Sequence, residues 1–169
     1  MNFKIEEVPS FYQGYIEQVE SADLRESLLD SGSRLIKICK ELTEEQTLYR
    51  YAEGKWSIKD IIQHLIDAEK VFLYRALRFS RGDRTSLGGF DQNDYVDSAV
   101  ADNRSFESLM DEFHISRKCT VQFFSSLDAK WLARKGEASG VEMTVEMLGF
   151  IIAGHTFHHA RIIENRYLS

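Results

Sequence analysis

Proline is almost missing: Pro9 is the one proline in a chain of 169 residues. Glycine is modest at ten residues, so little interrupts long helices. Collagen-like and linker-rich chains are excluded, and many short strands joined by turns are disfavoured. Cysteine is scarce as well. Cys39 and Cys119 lie far apart in helix-like segments and form neither a C-x-x-C pair nor a disulfide framework. Both read as small buried hydrophobes in a reducing, cytoplasmic setting. No apolar run nears the roughly 20 residues that span a bilayer. The opening MNFKIEEVPSFYQGY has no basic stretch followed by an apolar one, so neither a membrane partner nor a secretory signal is expected. Basic tracts are absent and the net charge is -6, which speaks against nucleic acid as a partner.

What is present is ordinary for a globular protein: 43% apolar and 28% charged residues, read as one domain over 1–169. After an aromatic lead-in (Phe3, Phe11, Tyr12, Tyr15) that drapes across the core, four stretches carry helical periodicity. The first spans about 22–42. The second starts at the cap Ser57, with Asp60 at the third helical position and Trp56 and Ile61 spaced as a hydrophobic staple, and stops at Gly82. The third spans about 105–127 and the fourth about 145–166, with Thr144 as its cap. The predicted fold is therefore all-α, a four-helix bundle. The polar link 82–104 reaches roughly 70 Å when extended, against roughly 36 Å for a helix of about 24 residues. It can return the chain to its starting end, which gives an up-down-down-up topology with a long crossover between helices two and three. Ile115, off the apolar stripe of the third helix, hints at a contact with another chain.

The histidines carry the chemistry. At 100° per residue, His155 and His159 fall at the centre of the fourth helix's apolar arc, with His158 at its edge. His64 lies at the edge of the second helix's apolar arc, roughly 10 Å in from its start. Two buried imidazoles one turn apart are costly unless their nitrogens are bonded, and a divalent metal resolves this. Thr156, Phe157 and His158 stand between the pair, so the Glu of an H-E-x-x-H protease is missing. Antiparallel second and fourth helices bring His64 to the same depth as His155 and His159. His114 reads as an ordinary surface residue.

Three stretches, GKWSIKDIIQHLIDAEKVFLYRALRFSRGD, GFDQNDYV and IIAGHTFHHARIIENRYL, resemble the DinB/YfiT-like superfamily of metalloenzymes, over about residues 20–168. The resemblance implies an up-down-down-up four-helix bundle, often dimeric, so a homodimer is expected. It also implies a three-ligand metal site, in which the family's first His matches His64 and its H-x-x-x-H pair matches His155 and His159. Family members include isomerases and transferases that use a metal-bound low-molecular-weight thiol, and many members have no assigned activity.

Three protein ligands leave an open position, the pattern of a catalytic site. A divalent ion there, zinc or nickel foremost with iron and manganese as alternatives, makes a nucleophile available at neutral pH. The small-molecule substrate is open. The reaction is read as thiol-dependent transfer or hydrolysis, against a non-catalytic metal- or ligand-binding stress protein. Asp67, one turn after His64, is the candidate to accept a ligand's second N–H or to move a proton, with Glu69 behind it. The link residues Asp91, Asn93 and Tyr95, together with His158, are candidate substrate contacts, the link acting as a lid.

Overall fold

The side chain of Ser57 accepts a hydrogen bond from the backbone N–H of Asp60, and Asp60 Oδ2 accepts one from the N–H of Ser57. This reciprocal box satisfies two otherwise orphaned donors and starts the longest helix, α4 (Ile58–Ser80). Gly82 ends it at φ +79, a left-handed conformation that glycine adopts without strain. The structure, a computed structural model, describes residues 1–168. Before α4 come α1 (Ser10–Ile16), α2 (Leu24–Cys39) and α3 (Glu44–Leu48). After it come α5 (Gln92–Ala99), α6 (Phe106–Ser125), α7 (Ala129–Leu132) and the strands β1 (Lys135–Ala138) and β2 (Val141–Thr144). Last is α8 (Val145–Ile162), which continues as a π-helical turn over Ile163–Tyr167.

Four long helices form the bundle: α2 and α4 each pack against both α6 and α8. Side-chain contacts give their directions. Arg104, just before α6, bonds Gln63, and Glu112 pairs with Lys70 further along, so α4 and α6 run the same way. Tyr167 donates to the carbonyl of Trp56 while Phe72 packs on His155, so α4 and α8 run oppositely.

The apolar core is interrupted at mid-height. One cluster gathers Leu28, Phe72, Phe79, Phe124 and Phe150, the other Leu35, Ile61, Leu65, Phe113 and Ile163. Between them each long helix contributes a polar side chain: Ser31, Glu69, Arg117 and Thr156. Arg117 donates to Glu69 (2.8 Å), Thr156 Oγ1 (2.8 Å), Ser31 Oγ (2.8 Å) and the Leu28 carbonyl (2.8 Å), with its Nε also on Glu69 (3.0 Å). All five guanidinium N–H groups have acceptors, the condition under which a buried ion pair is tolerated.

Several elements go beyond the sequence reading. The lead-in forms α1, which packs on α8. The link contains α5, capped by Asp91, whose Oδ1 accepts from the N–H groups of Asn93 and Asp94. The segment after α7 is a hairpin turned at Ser139 and Gly140 (φ +53 and +75), and the backbone of Leu87 bonds to Glu137 and Ser139 at its edge. The helical periodicity stays blind to pieces this short. Cys39 is buried, and burial pushes its thiol up to about 12. Cys119 corrects the expectation: it is exposed, because the buried stripe of α6 runs through Phe113, Arg117, Thr120 and Phe124 and leaves it outside. Ile115 is 62% exposed. Among the described residues no helix is long and apolar enough to cross a membrane.

Candidate metal centre

His64 sits in the second turn of α4, where the capped start fixes its depth, and His155 and His159 sit one turn apart on α8. The ladder of α4 against α8 brings the three rings together. His155 Nε2 lies 3.0 Å from His64 Nε2 and 3.1 Å from His159 Nε2. The ligand atoms of all three lie within 4.8 Å of one another, and each residue is at most 7% exposed. Trp56 packs on His64 (ring centroids 4.8 Å apart) and stacks at 6.4 Å on His159, while Phe72 and Tyr15 flank His155 at 6.3 and 5.1 Å.

Burial holds these imidazoles neutral. His64 is pushed down to about 4 by loss of solvent. His155 and His159 lie well below the ordinary histidine range, first from burial and then from repulsion among the neighbouring rings. A neutral imidazole carries one N–H and one lone pair. His155 Nε2 has a single in-plane site, so it can make one good hydrogen bond and not two. With two imidazole nitrogens competing for it, one contact is left unmet. His159 Nδ1 is also buried with no partner. A divalent cation accepts all three lone pairs at once. Three nitrogens held at roughly 2.0–2.2 Å from one ion stand about 3.0–3.5 Å apart, which agrees with the two short spacings. The donor set therefore fits a divalent metal.

The cluster is reachable. His64 and His155 line a cavity of about 390 Å³ whose walls include Tyr12, Tyr15, Phe72 and Phe90. Burial and the neighbouring Tyr12 raise the Tyr15 phenol above the usual tyrosine range.

The remaining candidates lie elsewhere. Asp67 is half-buried and raised mainly by desolvation, and its Oδ1 accepts from Gln63 Nε2 at 3.0 Å, not from an imidazole. Glu69 belongs to the Arg117 pair. His158 stands beside the cluster, its Nδ1 accepting from Gln18 Nε2 at 3.3 Å, and it lines a separate depression next to Arg161. Asp91 is spent on capping α5. Asn93 borders a different depression near Asp97 and Asp102, and Tyr95 is exposed and leans on Phe90. Of the expected lid, only Phe90 and Gln92 reach the histidine cavity. Tyr15 and Arg75 are among the cavity residues that sequence reasoning does not single out. The signal for Arg75 was a charge on the face of α4 that carries His64.

A model of the DinB superfamily matches residues 28–163. No curated protein matches the chain. Among solved structures, the chain is similar to YfiT from Bacillus subtilis, described as a probable metal-dependent hydrolase with an unusual four-helix bundle topology. The two share 14% identity and a TM-score of 0.75 over 83% of this chain and 82% of that one. At that identity the likeness shows the fold.

Proposed function

This chain belongs to the DinB superfamily, and we propose that it is a divalent-metal-dependent enzyme, a hydrolase, with His64, His155 and His159 as the protein ligands. The observation that carries the reading is the cavity. Two of the three histidines face a space of about 390 Å³ bordered by polar as well as aromatic groups. A merely structural ion would be sealed by side chains. The description of YfiT as a probable metal-dependent hydrolase supports hydrolysis over transfer.

A divalent ion held there, zinc or nickel, supplies Lewis acidity. The chain's own part is distinct. Burial keeps the three imidazoles neutral, so their lone pairs stay available near pH 7. The Tyr15 phenol stays protonated and serves as a hydrogen-bond donor on the wall beside His155. Phe72 and Tyr12 keep the floor and flank apolar, which limits bulk water.

The test loads untagged protein with zinc, nickel or manganese and screens ester and amide hydrolysis, with a parallel arm containing a low-molecular-weight thiol and an electrophile. Metal-dependent turnover in the thiol-free arm, lost in His155→Ala, is the expected result. Turnover only with thiol would make the protein a transferase, and no turnover with metal fully bound would make it a binding protein.

A further inference from the structure

A second buried charge borders the histidine cavity. Arg75 is 2% exposed and lines the same space as His64 and His155. Its Nη2 donates to the Gly88 carbonyl and to Ser139 Oγ, both at 2.9 Å. Its Nη1 is buried and has no partner. The contrast with Arg117 is direct. Arg117 has an acceptor for every N–H, with Glu69 as its counter-charge. Arg75 has two neutral acceptors on one nitrogen and none on the other. A guanidinium buried without a counter-ion is far costlier than an apolar side chain of similar size.

The surroundings fix one edge of this guanidinium. Ser139 is held in a left-handed turn with Gly140, and the backbone of Leu87 bonds both Glu137 (3.0 Å) and Ser139 (2.9 Å). Hairpin and link are thereby stitched together, and both acceptors of Nη2 are positioned. Along α4, His64, Ala68, Phe72 and Arg75 all line the cavity. Eleven residues separate the first from the last, three turns and about 20°, or roughly 16 Å of helix. Side chains lean toward the helix N-terminus, which shortens the gap to the guanidinium.

We infer that this cavity takes substrates with a carboxylate at one end, held on the Arg75 guanidinium, an apolar body against Phe72 and Tyr12, and the reacting group at the histidine end. The inference rests on the cavity being the active site. A carboxylate matches one free edge of a guanidinium. A phosphate dianion asks for more cationic donors than this wall offers, since Arg75 is the only Arg or Lys lining the cavity among the described residues.

The test is isothermal titration at pH 7.5 on protein stripped of metal, with 4-phenylbutyrate and its amide as probes. Removing the metal separates this inference from the metal reading, because neither metal binding nor turnover enters the result. The acid should bind at least tenfold more tightly than the amide to wild type, and the ratio should fall to about one in Arg75→Gln. If that variant fails to fold, the acid-to-amide ratio in wild type still decides. Equal affinities, or no saturable binding of the acid, overturn the inference. Displacement of the acid by an equal concentration of inorganic phosphate overturns the carboxylate assignment.

Discussion

The carbonyl oxygen of Tyr15 stands where a side chain on residue 154 would begin: a Cβ built on Gly154 would lie 2.1 Å from it. This contact lets α1 lie against α8 and puts the Tyr15 ring beside His155 and His158, at 5.1 and 5.2 Å. The obstacle is backbone, so no rotamer change relieves it. Gly154→Ala should cost about 1–3 kcal/mol or more, as overpacking does, by lifting α1 away. It should also weaken substrate affinity more than metal affinity, since Tyr15 lines the cavity and ligates nothing. Urea denaturation and zinc titration of the variant check both parts.

The crowded nitrogens at His155 make a substitution stabilising in one state and harmful in the other. Without metal, His155→Leu removes a polar atom that cannot satisfy both of its neighbours, and the metal-free variant should gain about 1 kcal/mol. With zinc present wild type should overtake it, because ligand that binds the native state stabilises by mass action. Thermal melts with and without zinc read the crossing. A variant less stable than metal-free wild type would mean that His155 is well bonded as it stands.

Metal-free protein should lose stability on mild acidification. His64 titrates at about 4 in the folded chain against an ordinary 6.5. Between those values the unfolded chain binds more protons, so stability is full above about pH 6.5 and falls as pH drops toward 4. His64 alone accounts for something on the order of 3 kcal/mol across that window. His155 and His159 are shifted in the same direction and steepen the loss. Saturating zinc should push the decline to lower pH. Chemical denaturation at half-unit pH steps gives the slope.

Asp67 pairs with Gln63, which in turn accepts from Arg104 Nη1 at 2.8 Å. Asp67→Asn should therefore leave metal affinity and turnover within about twofold of wild type. A fall of 10-fold or more in rate, with metal retained, would reinstate Asp67 as a group that tunes the site. The measurement is kcat under saturating metal beside a zinc titration.

Much of the bundle was legible because its signals are local. Ser57, Asp60, Trp56 and Ile61 announce the start of α4 within six residues, and the placement of His155 and His159 follows from helical period alone. The hairpin was legible in principle, since Ser139–Gly140 is a turn dipeptide between two short alternating runs, but four-residue strands carry little periodic signal. Arg75 and Tyr15 were not legible as site residues. Arg75 is buried by a roof made of Gly88 and Ser139, and Tyr15 is seated by Gly154. Both depend on contacts between segments far apart in the chain. The link residues stand apart from the histidines: Asp91 caps a short helix, and neither it nor Asn93 nor Tyr95 lines the histidine cavity.

His64, His155 and His159 form one buried cluster proposed to hold a single divalent ion. Untagged protein, stripped with chelator and dialysed against equimolar zinc, nickel and manganese, can be assayed by mass spectrometry for metal per chain, alongside His64→Ala, His155→Ala and His159→Ala. About one equivalent of zinc or nickel is expected in wild type and under about a tenth in each variant, because two imidazoles hold a divalent ion poorly. Wild type that retains no metal, or variants that retain as much as wild type, would contradict it.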